Sequence, residues 1–119
     1  MRRVMNPLLS TLKVKPTLAV KGRRSGEWRT VPVNVLEHDG RRYLVAVRGE
    51  TEWVRNLRAA GSGEIREGAN VEPFRATEIP VGERAPIITA YLTLWEREVT
   101  ALFKKLPDPA DHPVFRLEP

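Results

Sequence analysis

The chain has 119 residues, with 20 Lys+Arg against 15 Asp+Glu, no cysteine and only two histidines. One domain is the expectation for about this length. Disulfides, thiolate nucleophiles and Fe–S or Cys-based zinc sites are excluded together, an all-His metal centre with them, and no metal site is expected. No apolar stretch reaches the roughly 18 residues of a membrane span, and no signal-type apolar segment opens the chain, so a cytoplasmic protein is expected. The charge is uneven. Residues 1–30 carry eight bases and one acid (+7), and the other 89 residues carry a net −2. Such a field suggests an anionic partner at the N-terminal quarter, although charge alone favours solvated surface side chains.

In chain order, residues 1–16 form a short amphipathic lead-in ending at Pro16, with Arg2, Arg3, Lys13 and Lys15 leaving peripheral contact with an anionic membrane open. Thr17–Val20 reads as a strand. Lys21–Glu27 (KGRRSGE) reads as a turn. Arg29–His38 alternates Val31, Val33 and Val35 against Pro32, Asn34 and Leu36, which predicts one strand. Pro32 removes a ladder donor and so calls for an edge, a bulge or a ligand at that point. Asp39-Gly40 is a hairpin turn, with Arg41–Val47 as the returning strand.

Thr51 is the expected N-cap of a helix over Glu52–Ala60, closed by Gly61. Gly63–Arg66 and Val71–Ile79 predict a second hairpin. Residues 83–106 predict one long helix or two joined ones, with Pro86 in the first turn, and Val114–Leu117 a last strand. The order predicts an α+β fold, mainly antiparallel, and a small barrel of about six strands with two to three peripheral helices.

No nucleophile elbow or carboxylate dyad is present, and His38 and His112 read as surface residues. The informative segments are two. Gly22-Arg23-Arg24-Ser25-Gly26-Glu27-Trp28-Arg29 offers guanidinium forks, a hydroxyl and open amides suited to phosphate or carboxylate oxygens; the bland reading is a basic hairpin turn. Val45-Ala46-Val47-Arg48-Gly49, followed by Trp53, Asn56 and Leu57, offers amides and apolar walls suited to a planar ring; the bland reading is core at helical spacing.

The run G-R-R-S-G-x-x-R-x-x-P at 22–32, D-G at 39–40, V-A-V-R-G at 45–49 and W-x-x-N-L-R-A at 53–59 resembles the deazaflavin-dependent nitroreductase family, split β-barrel oxidoreductases that use coenzyme F420 and abound in actinobacteria. The resemblance covers residues 17–79 best and the tail more loosely. It implies that Arg23, Arg24, Ser25, Gly26 and Arg29 hold the phosphate and oligoglutamate tail of the coenzyme. Glu27 and Trp28 would line the turn, and Thr17, Leu18 and Ala19 the same groove. It further implies that Val45, Ala46, Val47, Arg48 and Gly49 approach the deazaflavin ring, with Trp53 and Asn56 completing the pocket.

On the acceptor side Tyr91 is the candidate catalytic residue, with Asn34 and Trp95 as candidate substrate contacts. The implied activity is hydride transfer from the reduced coenzyme to a small organic acceptor such as a quinone, a nitro compound or an activated alkene. FMN is the runner-up cofactor. Val47 and Glu50 depart from the usual A-S-K-G-G run, so a coenzyme carrier without reductase activity is the alternative. A nucleic-acid-binding barrel is disfavoured, because only Trp28 and Tyr43 lie near the basic quarter. Monomer and homodimer are both left open.

Overall fold

Seven antiparallel strands make one sheet in the order β2-β1-β5-β6-β7-β4-β3. They are β1 (Thr17–Lys21), β2 (Trp28–Pro32), β3 (Leu36–His38), β4 (Arg41–Val45), β5 (Ser62–Glu67), β6 (Asn70–Glu78) and β7 (Val114–Glu118). Among the described residues there are two helices, α1 (Glu52–Ala60) and α2 (Ala85–Lys105), with 3-10 turns at Val81–Glu83 and Pro109–Asp111. This computed structural model describes residues 15–119, so all of the lead-in except Lys15 and Pro16 lies outside the described residues.

The two edge strands, β2 and β3, are consecutive in sequence and joined only by Val33-Asn34-Val35. A link of four Cα steps reaches at most about 14 Å. Six strand gaps in a flat sheet would separate those edges by about 29 Å. The sheet must therefore curl until its edges face one another, which is a split barrel with its slit at residues 33–35.

This also corrects the strand count. The period-two valines run unbroken from Val31 to Val35, so one strand was expected where the structure has two. The break falls after Pro32. The N–H of Val33 still reaches Pro16 O (3.0 Å), and that of Gly22 bonds Glu27 O (2.8 Å). Counting back along the alternating ladder from these pairs turns Trp28, Thr30 and Pro32 away from β1. Pro32 thus stands where an edge strand needs no donor.

α1 spans the predicted residues, and Gly61 ends it by donating its N–H to Leu57 O (2.8 Å). Val54 and Leu57 are fully buried beneath it. Thr51 occupies the N-cap position, but its hydroxyl makes no capping bond. α2 holds Pro86 in its first turn and is two helices merged across a kink at Trp95 (φ −124°, ψ 29°). Just before the kink, the Thr93 hydroxyl donates back to Thr89 O (3.0 Å), a contact that bends helices.

The core is in two parts. Leu18, Val20, Leu44, Leu57, Ile65 and Phe115 fill the barrel. Leu36, Tyr43, Ile87, Ile88, Tyr91 and Val99 seat α2 against β3 and β4. No helix among the described residues is long and apolar enough to cross a membrane, which says nothing of strands.

Candidate functional site

The slit between the sheet edges opens into a cavity of about 850 Å³, within the range of cofactor sites. Its mouth is basic. Arg23, Arg24 and Ser25 come from the β1–β2 turn, Arg29 from the start of β2, and Arg48 from the loop between β4 and α1. Its interior is apolar, with Val20, Val33, Leu44, Val45, Val99 and Leu102 on the walls.

The β1–β2 turn is built locally. Gly22 and Gly26 are bonded across it (2.9 Å), and the Glu27 N–H donates to Ser25 Oγ (3.1 Å). A Cβ on Gly22 would stand 2.9 Å from Ser25 Oγ, so a side chain there would push the hydroxyl out of the turn. The two adjacent arginines then diverge. Arg23 donates to Asn56 Oδ1 from its backbone N–H (3.1 Å) and from Nη1 (2.8 Å), and pairs with Glu52 (3.0 Å). Among the described residues Arg24, Arg29 and Arg48 have no ion partner. Arg23 thus docks the turn onto α1, and Arg24 and Arg29 are left to meet an anion. The Glu52 carboxyl is held below its usual range, first by its hydrogen bond from Arg23.

On the opposite wall, Asn34 Nδ2 donates to Tyr91 Oη (3.1 Å). That leaves the phenol's own hydrogen free to point elsewhere. Tyr91 is 3% exposed, and burial pushes its pKa up, against a smaller lowering by the Asn34 hydrogen bond. Beside α1, the Thr51 Oγ1 is buried, has no hydrogen-bond partner among the described residues, and belongs to a residue on the cavity wall. A ligand polar group would satisfy it.

The structure gathers most of the expected residues around this cavity. Arg23, Arg24, Ser25, Arg29, Asn34, Val45, Val47, Arg48, Trp53, Asn56 and Tyr91 all reach its wall. Others fall elsewhere. Leu18, Ala19 and Ala46 are buried at 0%, 0% and 1% exposure and lie off the cavity wall: Leu18 and Ala46 pack into the barrel core, Ala19 turns to the other face of β1, and Val20 reaches the cavity instead. Thr17, Gly26, Glu27 and Gly49 are off the wall. Trp28 is 43% exposed on the outer face, with Lys21 Nζ 4.9 Å and Arg66 Cζ 5.0 Å from its ring centroid. Trp95 packs against Tyr91 (4.7 Å between rings) rather than lining the cavity.

Wall residues that the sequence reading missed are Thr30–Val33, Leu44, Glu98, Val99 and Leu102. The alternation of Val31 and Val33 against Pro32 marked that strand, but nothing local showed that its outer edge borders a slit. His112 is a plain correction. It was expected on the surface and is fully buried. His38 is partly exposed beside Asp39 (3.5 Å). Among the described residues no three His, Asp or Glu side chains gather as a metal site.

The chain matches no curated protein sequence. Solved structures match its fold. A structure of an F420-H2 dependent reductase (FDR-A) shares 23% identity over 89% of this chain and 95% of its own, with a TM-score of 0.68. A domain-swapped dimer shares 23% identity over 89% and 81%, with a TM-score of 0.64. The heme storage protein HutZ of Vibrio cholerae has a TM-score of 0.63 at 12% identity over 98% and 91%. At these identities the likeness shows the split barrel alone, a fold that serves several functions. The sequence itself decides more: residues 2–101 match the profile of the F420H(2)-dependent quinone reductases, and the chain belongs to that family of F420H2-dependent reductases.

Proposed function

We propose that the chain uses F420H2 to reduce a small quinone held in the 850 Å³ cavity. The observation that carries this reading is the cavity's polarity, with Arg24, Arg29 and Arg48 lacking an ion partner among the described residues, apolar walls, and a buried phenol on the same lining. An anionic tail fits Arg24, Arg29 and Ser25, where charge-assisted bonds are strongest. A planar ring fits between Val45, Val47 and Trp53, with the orphaned Thr51 hydroxyl as a polar contact.

When bound, the reduced coenzyme supplies a hydride, and the quinone needs one proton besides to become a hydroquinone. The chain's own residues do the rest. Asn34 orients the Tyr91 phenol, and burial keeps it protonated, so its O–H is available to a quinone carbonyl oxygen. Val33, Leu44 and Val45 keep water from the reacting face. The neighbour that is a domain-swapped dimer makes a homodimer the assembly we propose, with sedimentation as its test.

The function is tested by mixing F420H2 anaerobically with menadione, a nitroaromatic and an unsaturated lactone, and following the return of the oxidised coenzyme's absorbance. Turnover fastest with menadione is expected. Coenzyme binding with no turnover of any acceptor would favour the carrier reading, and a failure to bind F420 would overturn both.

A further inference from the structure

His112 is a fully buried titratable ring that the proposed reaction leaves unused. It has no exposed surface, and its ring stacks on Phe103 at 4.1 Å between centroids and 18° between planes. Nδ1 lies 2.8 Å from Ala46 O, and Nε2 contacts Leu106 O. A neutral imidazole has one N–H and donates to one of these carbonyls; the protonated ring donates to both.

The Ala46 carbonyl is a particular partner. It also accepts the Gly49 N–H (3.2 Å), closing a turn over Ala46-Val47-Arg48-Gly49. That turn lies against the segment that carries His112 at three points. The Ala46 N–H donates to Pro113 O (2.9 Å), His112 meets Ala46 O, and a Cβ on Gly49 would stand 3.2 Å from Asp111 O. Gly49 also has φ +84°, so a side chain there would be both strained and crowded. Val47 and Arg48, between the two anchored ends, line the cavity. The second His112 contact, Leu106, closes α2, whose Val99 and Leu102 form another part of the same wall.

We propose that His112 is a positioning residue, which fixes the Ala46–Gly49 turn against the end of α2 and so sets the wall that faces the cofactor ring. Its consequence for binding rests on the proposed function, but its geometry does not. The test therefore begins without ligand. A long-range 1H–15N spectrum of the wild-type chain should show Nδ1 carrying a proton; an unprotonated Nδ1 cannot donate to Ala46 O and would overturn the proposal.

His112→Phe keeps the stacking on Phe103 and removes the donors. Amide hydrogen exchange at Gly49 should then quicken by about tenfold, as for a locally opened turn, while Ile65 in β5 exchanges unchanged. His112→Gln restores one N–H and should recover part of the protection; it also decides the question if the Phe variant does not fold. Unchanged Gly49 exchange, or equal acceleration at Gly49 and Ile65, would contradict the proposal. In coenzyme titrations the Phe variant should bind several-fold more weakly with an unaltered salt dependence, because the β1–β2 turn is untouched. If the wild type fails to bind F420, the functional reading falls, and the exchange results still judge His112.

Discussion

The two loops that frame the cavity are built on opposite plans. The β1–β2 turn is exposed and rests on short-range contacts, Gly22 with Gly26 and Ser25 with Glu27, plus one dock of Arg23 onto Asn56. The Ala46–Gly49 turn is held by residues more than 60 positions away, Asp111, His112 and Pro113. The first carries its chemistry in its own letters. The second takes its shape from the far end of the chain. The comparison teaches that a cluster of charge can be read locally, whereas the shape of a cavity wall depends on what packs behind it.

The largest expected effect breaks the first loop. Arg24→Ala with Arg29→Ala should weaken F420 binding by at least about 100-fold, since two charge-assisted bonds of about 1.5 kcal/mol or more each are lost, and should flatten the salt dependence, both measured by fluorescence titration. Arg23→Ala alone should weaken binding less, because its fork is already taken by Glu52 and Asn56.

Next is the acceptor side. Tyr91→Phe should lower kcat with menadione by about tenfold and leave the coenzyme Kd unchanged, a split that steady-state kinetics would show. The folded chain holds the Tyr91 proton more tightly than the unfolded chain, so this contribution to stability is complete below pH 10 and is lost as pH rises beyond it. In a pH series of melting temperatures the offset between wild type and Tyr91→Phe should stay constant up to about pH 10 and change only in that alkaline range.

A smaller effect concerns the base of the second loop. Glu50 stands where relatives of the resembled family carry glycine, and it pairs with Arg58 (2.9 Å), which also grips Glu78 (2.8 Å). Arg58 lowers the pKa of both carboxyls through its hydrogen bonds. Their contribution is therefore present above about pH 4.5 and fades as pH falls through the lowered values. These side chains are 28–46% exposed, so Arg58→Ala should cost only about 1 kcal/mol near neutrality, a few degrees of Tm, with the difference vanishing in acid. The smallest effect belongs to Trp28→Ala, which should leave F420 affinity within about twofold, as its ring lies on the outer face between Lys21 and Arg66.

The sequence was most legible where structure is local. Asp39-Gly40 marked its hairpin, and Thr51 with Gly61 bracketed α1 to the residue. It was least legible where the chain changes partner without changing pattern. Val31, Val33 and Val35 keep period two across the passage from one sheet edge to the other, so the seventh strand was hidden. The kink at Trp95 has neither Pro nor Gly to announce it. His112 sits in a Pro-rich stretch that reads as exposed loop, and only the pairing of β7 with β4 brings it beneath Ala46. Of the site, the arginines of the mouth were readable. The Asn34–Tyr91 pair, 57 positions apart, could be proposed only as separate residues.

The central claim is that an anionic coenzyme enters by the β1–β2 turn and lays its ring against the β4–α1 turn. Fluorescence titration of the ligand-free chain with F420 over a range of salt tests it most directly. Micromolar or tighter binding, with a salt slope of only about two to three ions and a steep loss in the Arg24→Ala/Arg29→Ala variant, is the predicted result. No binding of F420, or binding that the double variant leaves intact, would contradict it.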